Sequence, residues 1–174
     1  VSAAQSINLL PFNLRADQSG VYQEILNDLN QAKPMRRLVQ GDVGSGKTVV
    51  ALLAALSMIE QAFQVAFLVP TEVLLYQHFE TVKRLFPQVK AVLVNQFTDK
   101  ETLLAIEKGG YDLVLGTHTL FQEKMKFKNL GLAIIDEQQR FGVKQREALV
   151  NKGSTTDLLM LSATPIPQTL AQSL

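Results

Sequence analysis

Short runs of β-prone apolar residues recur along the chain at Arg37–Gln40, Val65–Val69, Ala91–Val94, Leu113–Gly116, Leu132–Asp136 and Leu158–Ser162, and helical patterns separate most of them. Runs of Val, Ile and Leu without polar alternation fit strands buried on both faces, as in a parallel sheet. Parallel neighbours need long crossovers, and the helical stretches supply them. Glu72–Phe86 carries Leu75, Phe79, Val82 and Phe86 at steps of four and three, behind Thr71 as a possible N-cap. Val49–Ile59 is apolar nearly all round, which predicts a helix buried between the sheet and its neighbours. Thr98–Lys108 and Val143–Lys152 are shorter amphipathic stretches, followed by Gly109 and Gly153 as C-caps. The fold class expected is α/β: one domain built on a mostly parallel sheet with helices on both faces. In such sheets ligands sit beyond the carboxyl ends of the strands, so functional motifs should fall where strands end.

Composition narrows the chemistry. At 174 residues, 47% hydrophobic and 19% charged, the chain matches globular averages and excludes disorder and fibrous repeats. The absence of Cys excludes disulfides, thiolate metal sites and a Cys nucleophile. The two histidines, His78 and His118, are far apart in sequence, and nothing near either has metal-ligand spacing. The longest apolar run is too short to span a bilayer, and no leader opens the chain, so a cytoplasmic location and no membrane partner are expected. A formal charge of +1 means that any nucleic-acid partner is not held by bulk positive charge. The chain starts at Val1 and stops at Leu174 inside a helical pattern, so the expectation is a domain of a larger protein.

Gly41-Asp42-Val43-Gly44-Ser45-Gly46-Lys47-Thr48 fits G-x-x-x-x-G-K-[ST] in full, between an apparent strand and an apparent helix. Glycines let successive backbone N–H groups curl inward around phosphate oxygens at a helix N-terminus. Lys47 is expected to reach the β- and γ-phosphates, and Thr48 to offer its hydroxyl to Mg²⁺. A second requirement is an acid at another strand end. Leu132-Ala133-Ile134-Ile135-Asp136-Glu137 supplies it, with Asp136 toward the metal and Glu137 orienting or deprotonating the attacking water. The cofactors expected are therefore ATP and Mg²⁺.

Asp136-Glu137-Gln138-Gln139 resembles the DExx box of superfamily-two helicases, with further segments in the same order. Pro70-Thr71-Glu72 resembles motif Ia, Gly116-Thr117-His118 motif Ib, and Ser162-Ala163-Thr164 motif III. Within that superfamily the chain is similar to the RecG family of ATP-dependent DNA helicases. The shared phrases run from Leu10-Pro11-Phe12 through Met35–Thr48, Gln77-His78, Phe127–Asp136 and Gln145-Arg146 to Ala163-Thr164-Pro165-Ile166-Pro167. They cover nearly the whole chain. One departure is Gln139, where that family usually has His. Gln139-Arg140-Phe141-Gly142-Val143 is similar to a phrase of transcription-repair coupling translocases, whereas Ser45 and Gln145-Arg146 favour RecG.

The resemblance implies a RecA-like P-loop NTPase domain, with the strand ending in Ser162 between the phosphate-loop strand and the strand ending in Asp136. It implies the first motor domain of a helicase acting on branched DNA in repair and recombination, partnered by a second RecA-like domain and an N-terminal wedge domain. A fragment lacking them is expected to bind Mg-ATP weakly and hydrolyse it poorly. Gln18 resembles the Gln that reads adenine, and is otherwise an exposed helix residue. Gln139, Ser162 and Thr164 are implied to couple hydrolysis to DNA; a Gln139 hydrogen bond to the motif III segment would preserve that link. Ser162 and Thr164 otherwise form a polar turn before Pro165. Thr71, Glu72, Gly116, Thr117 and His118 are the implied DNA contacts, although Thr71 also suits helix capping and His118 an ordinary loop. Lys124, Lys126 and Lys128 read first as a solvated face. The alternatives are the coupling translocase and a nucleotide-binding switch without motor activity.

Overall fold

A computed structural model describes residues 13–41 and 46–163. The interior of the phosphate loop (Asp42, Val43, Gly44, Ser45) and Thr164 lie outside the described residues. Among the described residues six strands form one sheet: β1 (Arg36–Gln40), β2 (Gln64–Leu68), β3 (Ala91–Val94), β4 (Leu113–Gly116), β5 (Leu130–Ile135) and β6 (Asp157–Ser162). Their order is β1-β6-β5-β2-β4-β3, and every pairing is parallel. The strand ending in Ser162 does lie between the strand that feeds the phosphate loop and the strand that precedes Asp136.

Among the described residues five α-helices connect and cover the sheet: α1 (Ala16–Leu29), α2 (Lys47–Glu60), α3 (Glu72–Leu85), α4 (Lys100–Glu107) and α5 (Val143–Val150). The chain steps one way across the sheet from β1 to β2 to β3, then reverses through β4, β5 and β6. Right-handed crossovers therefore put α2 and α3 on one face and α4 and α5 on the other. Two separate cores follow. One packs Tyr22 and Ile25 of α1, the apolar length of α2, and Leu75 and Val82 of α3. The other packs Ile106 of α4, Leu120, Met125, Phe141, and Leu149 and Val150 of α5. Strand side chains alternate between them: Val65, Phe67, Leu132, Ile134, Leu159 and Leu161 face the first, while Ala66, Leu68, Ala133, Ile135, Leu158 and Met160 face the second.

Local signals account for most boundaries. Thr71 caps α3 as expected, its hydroxyl oxygen accepting from Leu74 N at 3.3 Å. Asp99 caps α4 in the same way, which starts that helix two residues later than its apolar pattern suggests. Gly109 adopts φ +85° just beyond α4, whereas Gly153 is not left-handed. A Cβ at Gly153 would come within 2.2 Å of Leu130 O, so that glycine serves a close approach of backbones instead. The helix the apolar pattern does not reveal is α1. Arg37 of β1 anchors it through Asp28 at 2.6 Å and Glu24 at 3.2 Å. Among the described residues no helix is long and apolar enough to cross a membrane.

Candidate functional site

The motif residues that are described gather along the carboxyl edge of the sheet. Gly41 leaves β1 with its N–H donating to Ser162 O at 3.0 Å, so the entry to the phosphate loop is tied to the end of β6. Gly46 then precedes α2 at φ +79° and ψ +17°, a left-handed conformation that glycine adopts without steric cost. It brings no side chain to cap the helix, so the first-turn N–H groups beside Lys47 and Thr48 keep a free direction for an anion.

Gln18 lies against this turn. It is only 8% exposed, so it is not the ordinary exposed helix residue that was the alternative for it. Its Oε1 accepts from Arg15 N at 2.8 Å, closing the first turn of α1 from its third residue. Its amide nitrogen packs so closely on Gly46 that a Cβ there would fall 1.8 Å away. A small cavity of about 60 Å³ beside it is lined by Asp17, Val21, Val39 and Lys47.

The acidic pair sits at the end of β5. Continuing the strand's alternation by one residue turns Asp136 toward the face that carries α2 and α3, where the phosphate-loop helix begins. Asp136 is 8% exposed at its side chain, and its backbone N–H donates to Leu68 O at 2.9 Å. Its Oδ1 accepts from Glu137 N at 3.0 Å, and its Oδ2 lies 3.0 Å from His78 Nε2. Glu137 adopts φ +48° and ψ +58°, a left-handed backbone that is uncommon outside glycine and costs on the order of 1 kcal/mol. That kink lifts Glu137 out of the strand line and starts the 3-10 turn Gln138–Arg140. The chain thus turns at the strand end, as the sequence requires if both carboxylates are to face one ligand.

The turn is braced from both sides. Ser162 Oγ donates to Gln139 Oε1 at 3.3 Å, so a glutamine at this position does bridge to the motif III segment. Arg146 of α5 donates to Gln138 Oε1 at 2.6 Å and reaches Met160 Sδ at 3.3 Å. The donor set suits a hard divalent ion shared with phosphate: a hydroxyl at Thr48 and a carboxylate at Asp136, both oxygen ligands. Among the described residues no group of three or more His, Cys, Asp or Glu forms a metal cage.

A second cluster lies at the ends of β2, β3 and β4. Glu72 and His118 are exposed, Thr71 and Thr117 half-buried, and Gly116 buried. Gly116 is required by packing, since a Cβ would meet Val94 Cγ2 at 2.8 Å and Leu120 Cγ at 3.0 Å. The His118 ring packs on Phe121 at 5.5 Å and on Phe141 at 5.9 Å, which links this cluster to the residue following the acidic turn. An open cleft of about 510 Å³ separates Glu72 and Tyr76 from Thr117 and His118, with Asn95 and Phe97 on its rim. Phe97 is 82% exposed and Tyr76 54% exposed. Sequence reasoning missed both aromatic residues, and it missed the His78–Asp136 contact. Lys124, Lys126 and Lys128 are exposed, as a solvated face requires.

The family model described as DEAD/DEAH box helicase matches residues 15–173. The chain is 52% identical to the ATP-dependent DNA helicase RecG of Thermotoga maritima over 97% of its length, and 50% identical to that of Streptococcus pneumoniae over 93%. It spans 22% and 25% of those relatives, about a quarter of their length. A solved structure of RecG bound to a three-way DNA junction superposes with a TM-score of 0.85 at 46% identity, covering 97% of this chain and 23% of that one. With a family model covering nearly all of its residues and RecG similarity over nearly its whole length, the chain belongs to the DEAD/DEAH box helicase family.

Proposed function

We propose that residues 1–174 form the first RecA-like motor domain of a longer ATP-dependent DNA helicase that remodels branched DNA in repair and recombination. The observation that carries this reading is the alignment of Gly46–Thr48, Ser162 and Asp136–Glu137 at the ends of the adjacent strands β1, β6 and β5. Similarity to RecG, whose solved relative holds a three-way junction, supports branched DNA over a duplex-tracking translocase.

In this mechanism the backbone of Gly41 through Gly46, including Asp42, Val43, Gly44 and Ser45, surrounds the phosphates, and Gln18 reads adenine. Lys47 places its ammonium against the β- and γ-phosphates. Thr48 and Asp136 would hold Mg²⁺, which would supply positive charge to the phosphate oxygens. Glu137 orients the water and takes its proton, at the left-handed residue where the chain leaves β5. Gln139, Ser162 and Thr164 sense the phosphate and pass its loss across the sheet edge. Thr71, Glu72, Gly116, Thr117 and His118 hold the DNA backbone by hydroxyls and N–H groups, which position without reading sequence. Tyr76 and Phe97 add faces on which bases stack.

A second RecA-like domain and a wedge domain of the same protein complete the motor, so the isolated domain turns ATP over poorly. The test is Glu137→Gln in the full-length protein. Turnover should fall at least ~100-fold with nucleotide binding retained. Turnover within about twofold of the parent would remove Glu137 as base and the motor mechanism with it.

A further inference from the structure

The phosphate loop and acidic turn ask nothing of a histidine on α3, yet the His78 ring reaches Asp136. Its Nε2 lies 3.0 Å from Asp136 Oδ2, with 13% and 8% of the two side chains exposed. A carboxylate in the ionised form that binds a cation only accepts, so the ring N–H donates. The ring also rests on Phe67 of β2, with centroids 5.1 Å apart and planes inclined by 31°, which limits its rotation. Asp136 is therefore gripped twice by one unit: Leu68 of β2 takes its backbone N–H, and His78 of α3 takes its carboxylate. Within this unit Thr71 caps α3 and Glu72 opens it, six residues before His78 and about 9 Å away along the helix axis.

We propose that His78 is a positioning residue that aims the Asp136 carboxylate at the divalent ion and ties it to the DNA-facing end of α3. The inference rests on the reading of Asp136 as a metal-holding residue. Partners that hydrogen-bond a metal ligand typically set its orientation, and their loss costs metal affinity while leaving the ligand itself in place. A displacement of α3 by DNA at Thr71 and Glu72 then moves the Asp136 oxygen with it, because the link is one hydrogen bond between packed groups.

The test uses the full-length protein and Mn²⁺ as the probe, titrated by electron paramagnetic resonance in the presence of ADP. His78→Leu removes the donor at similar volume, and His78→Gln restores an N–H at nearly the reach of Nε2. His78→Leu should weaken Mn²⁺ binding about 10-fold, with ADP affinity in excess chelator within about twofold of the parent. His78→Gln should recover Mn²⁺ affinity to within about threefold, and with it the stimulation of ATP turnover by forked DNA, which His78→Leu should lower at least ~3-fold. If His78→Leu does not fold, His78→Asn, whose amide stops short of Asp136, replaces it. Unchanged Mn²⁺ affinity in the folded variant overturns the proposal. So does a folded His78→Gln protein as weak as His78→Leu, which makes the ring a packing group only. Asp136→Ala separates the two claims: if it leaves Mn²⁺ affinity intact, the metal role of Asp136 falls and the His78 proposal with it. If it abolishes Mn²⁺ binding while His78→Leu does not weaken it, only the His78 proposal is lost.

Discussion

Gly46→Ala puts a single methyl group into the most constrained point of the nucleotide site. Two costs follow from the geometry. At φ +79° an alanine is less favourable than glycine by about 1 kcal/mol. The new Cβ also falls 1.8 Å from Gln18 Nε2, so the Gln18 amide must leave, breaking its 2.8 Å bond to Arg15 N at about 1 kcal/mol. An alanine relaxes out of the left-handed region when no phosphate holds it, so binding must draw it back and the cost appears as lost affinity. The sum of about 2 kcal/mol is a loss of about 30-fold in nucleotide binding. Because the two costs have different origins, Gln18→Ala separates them. In that background the collision is gone and Gly46→Ala should cost only about 1 kcal/mol, roughly 5-fold. Calorimetric titration of ADP into the four proteins of this cycle reads both numbers. Equal penalties in the two backgrounds would refute the contact with Gln18, and no penalty in either would refute the left-handed turn.

Three further outcomes rest on other contacts. Burial raises the Asp157 carboxyl above its ordinary value, against the opposing effects of the Met35 N–H bond and the Arg36 charge. The folded state therefore binds that proton more tightly; its stabilisation is full below about pH 3.8 and lost as pH rises through the higher folded value. Asp157→Asn can still accept from Met35, and it should flatten this part of the stability curve in thermal melts between about pH 3.5 and 7; an unchanged slope contradicts the assignment. Gln64 is buried and makes four hydrogen bonds, donating to Ile106 O and Tyr111 O and accepting from Lys128 N and Asn129 N at 2.8 to 3.0 Å. Gln64→Leu should cost about 3 kcal/mol in denaturant unfolding, and a cost under about 1 kcal/mol would show that water replaces the amide. Phe97→Ala should weaken DNA binding by about 1 kcal/mol, roughly 5-fold, without changing ADP affinity; unaltered DNA binding would remove the stacking role.

The sheet was legible because strands buried on both faces contain no polar alternation, and the boundaries of β3, β4 and β6 follow the apolar runs closely. The Gln139–Ser162 bond was anticipated because both residues belong to motifs at neighbouring strand ends. What stayed hidden has little local signal. The first helix, α1, has Arg15 in place of a usual capping residue, and Ser19 and Gly20 weaken its helical pattern. Only Gln18, Tyr22 and Ile25 of it are buried, so its stripe is narrow, and much of its placement comes from Arg37 on a later strand. The contact of His78 with Asp136 joins residues 58 positions apart on different elements, and no spacing rule reaches that far. Gly46 was read as a phosphate-loop glycine, but its collision partner Gln18 could be known only once α1 had been laid against the loop.

The central claim is that this domain drives a motor specialised for branched DNA. It is tested most directly by ATP turnover of the full-length protein without DNA, with linear duplex and with a model fork, using Lys47→Ala as the blank. Stimulation by the fork well above duplex is the result expected. Equal stimulation by duplex, or none by either with nucleotide still bound, would contradict it.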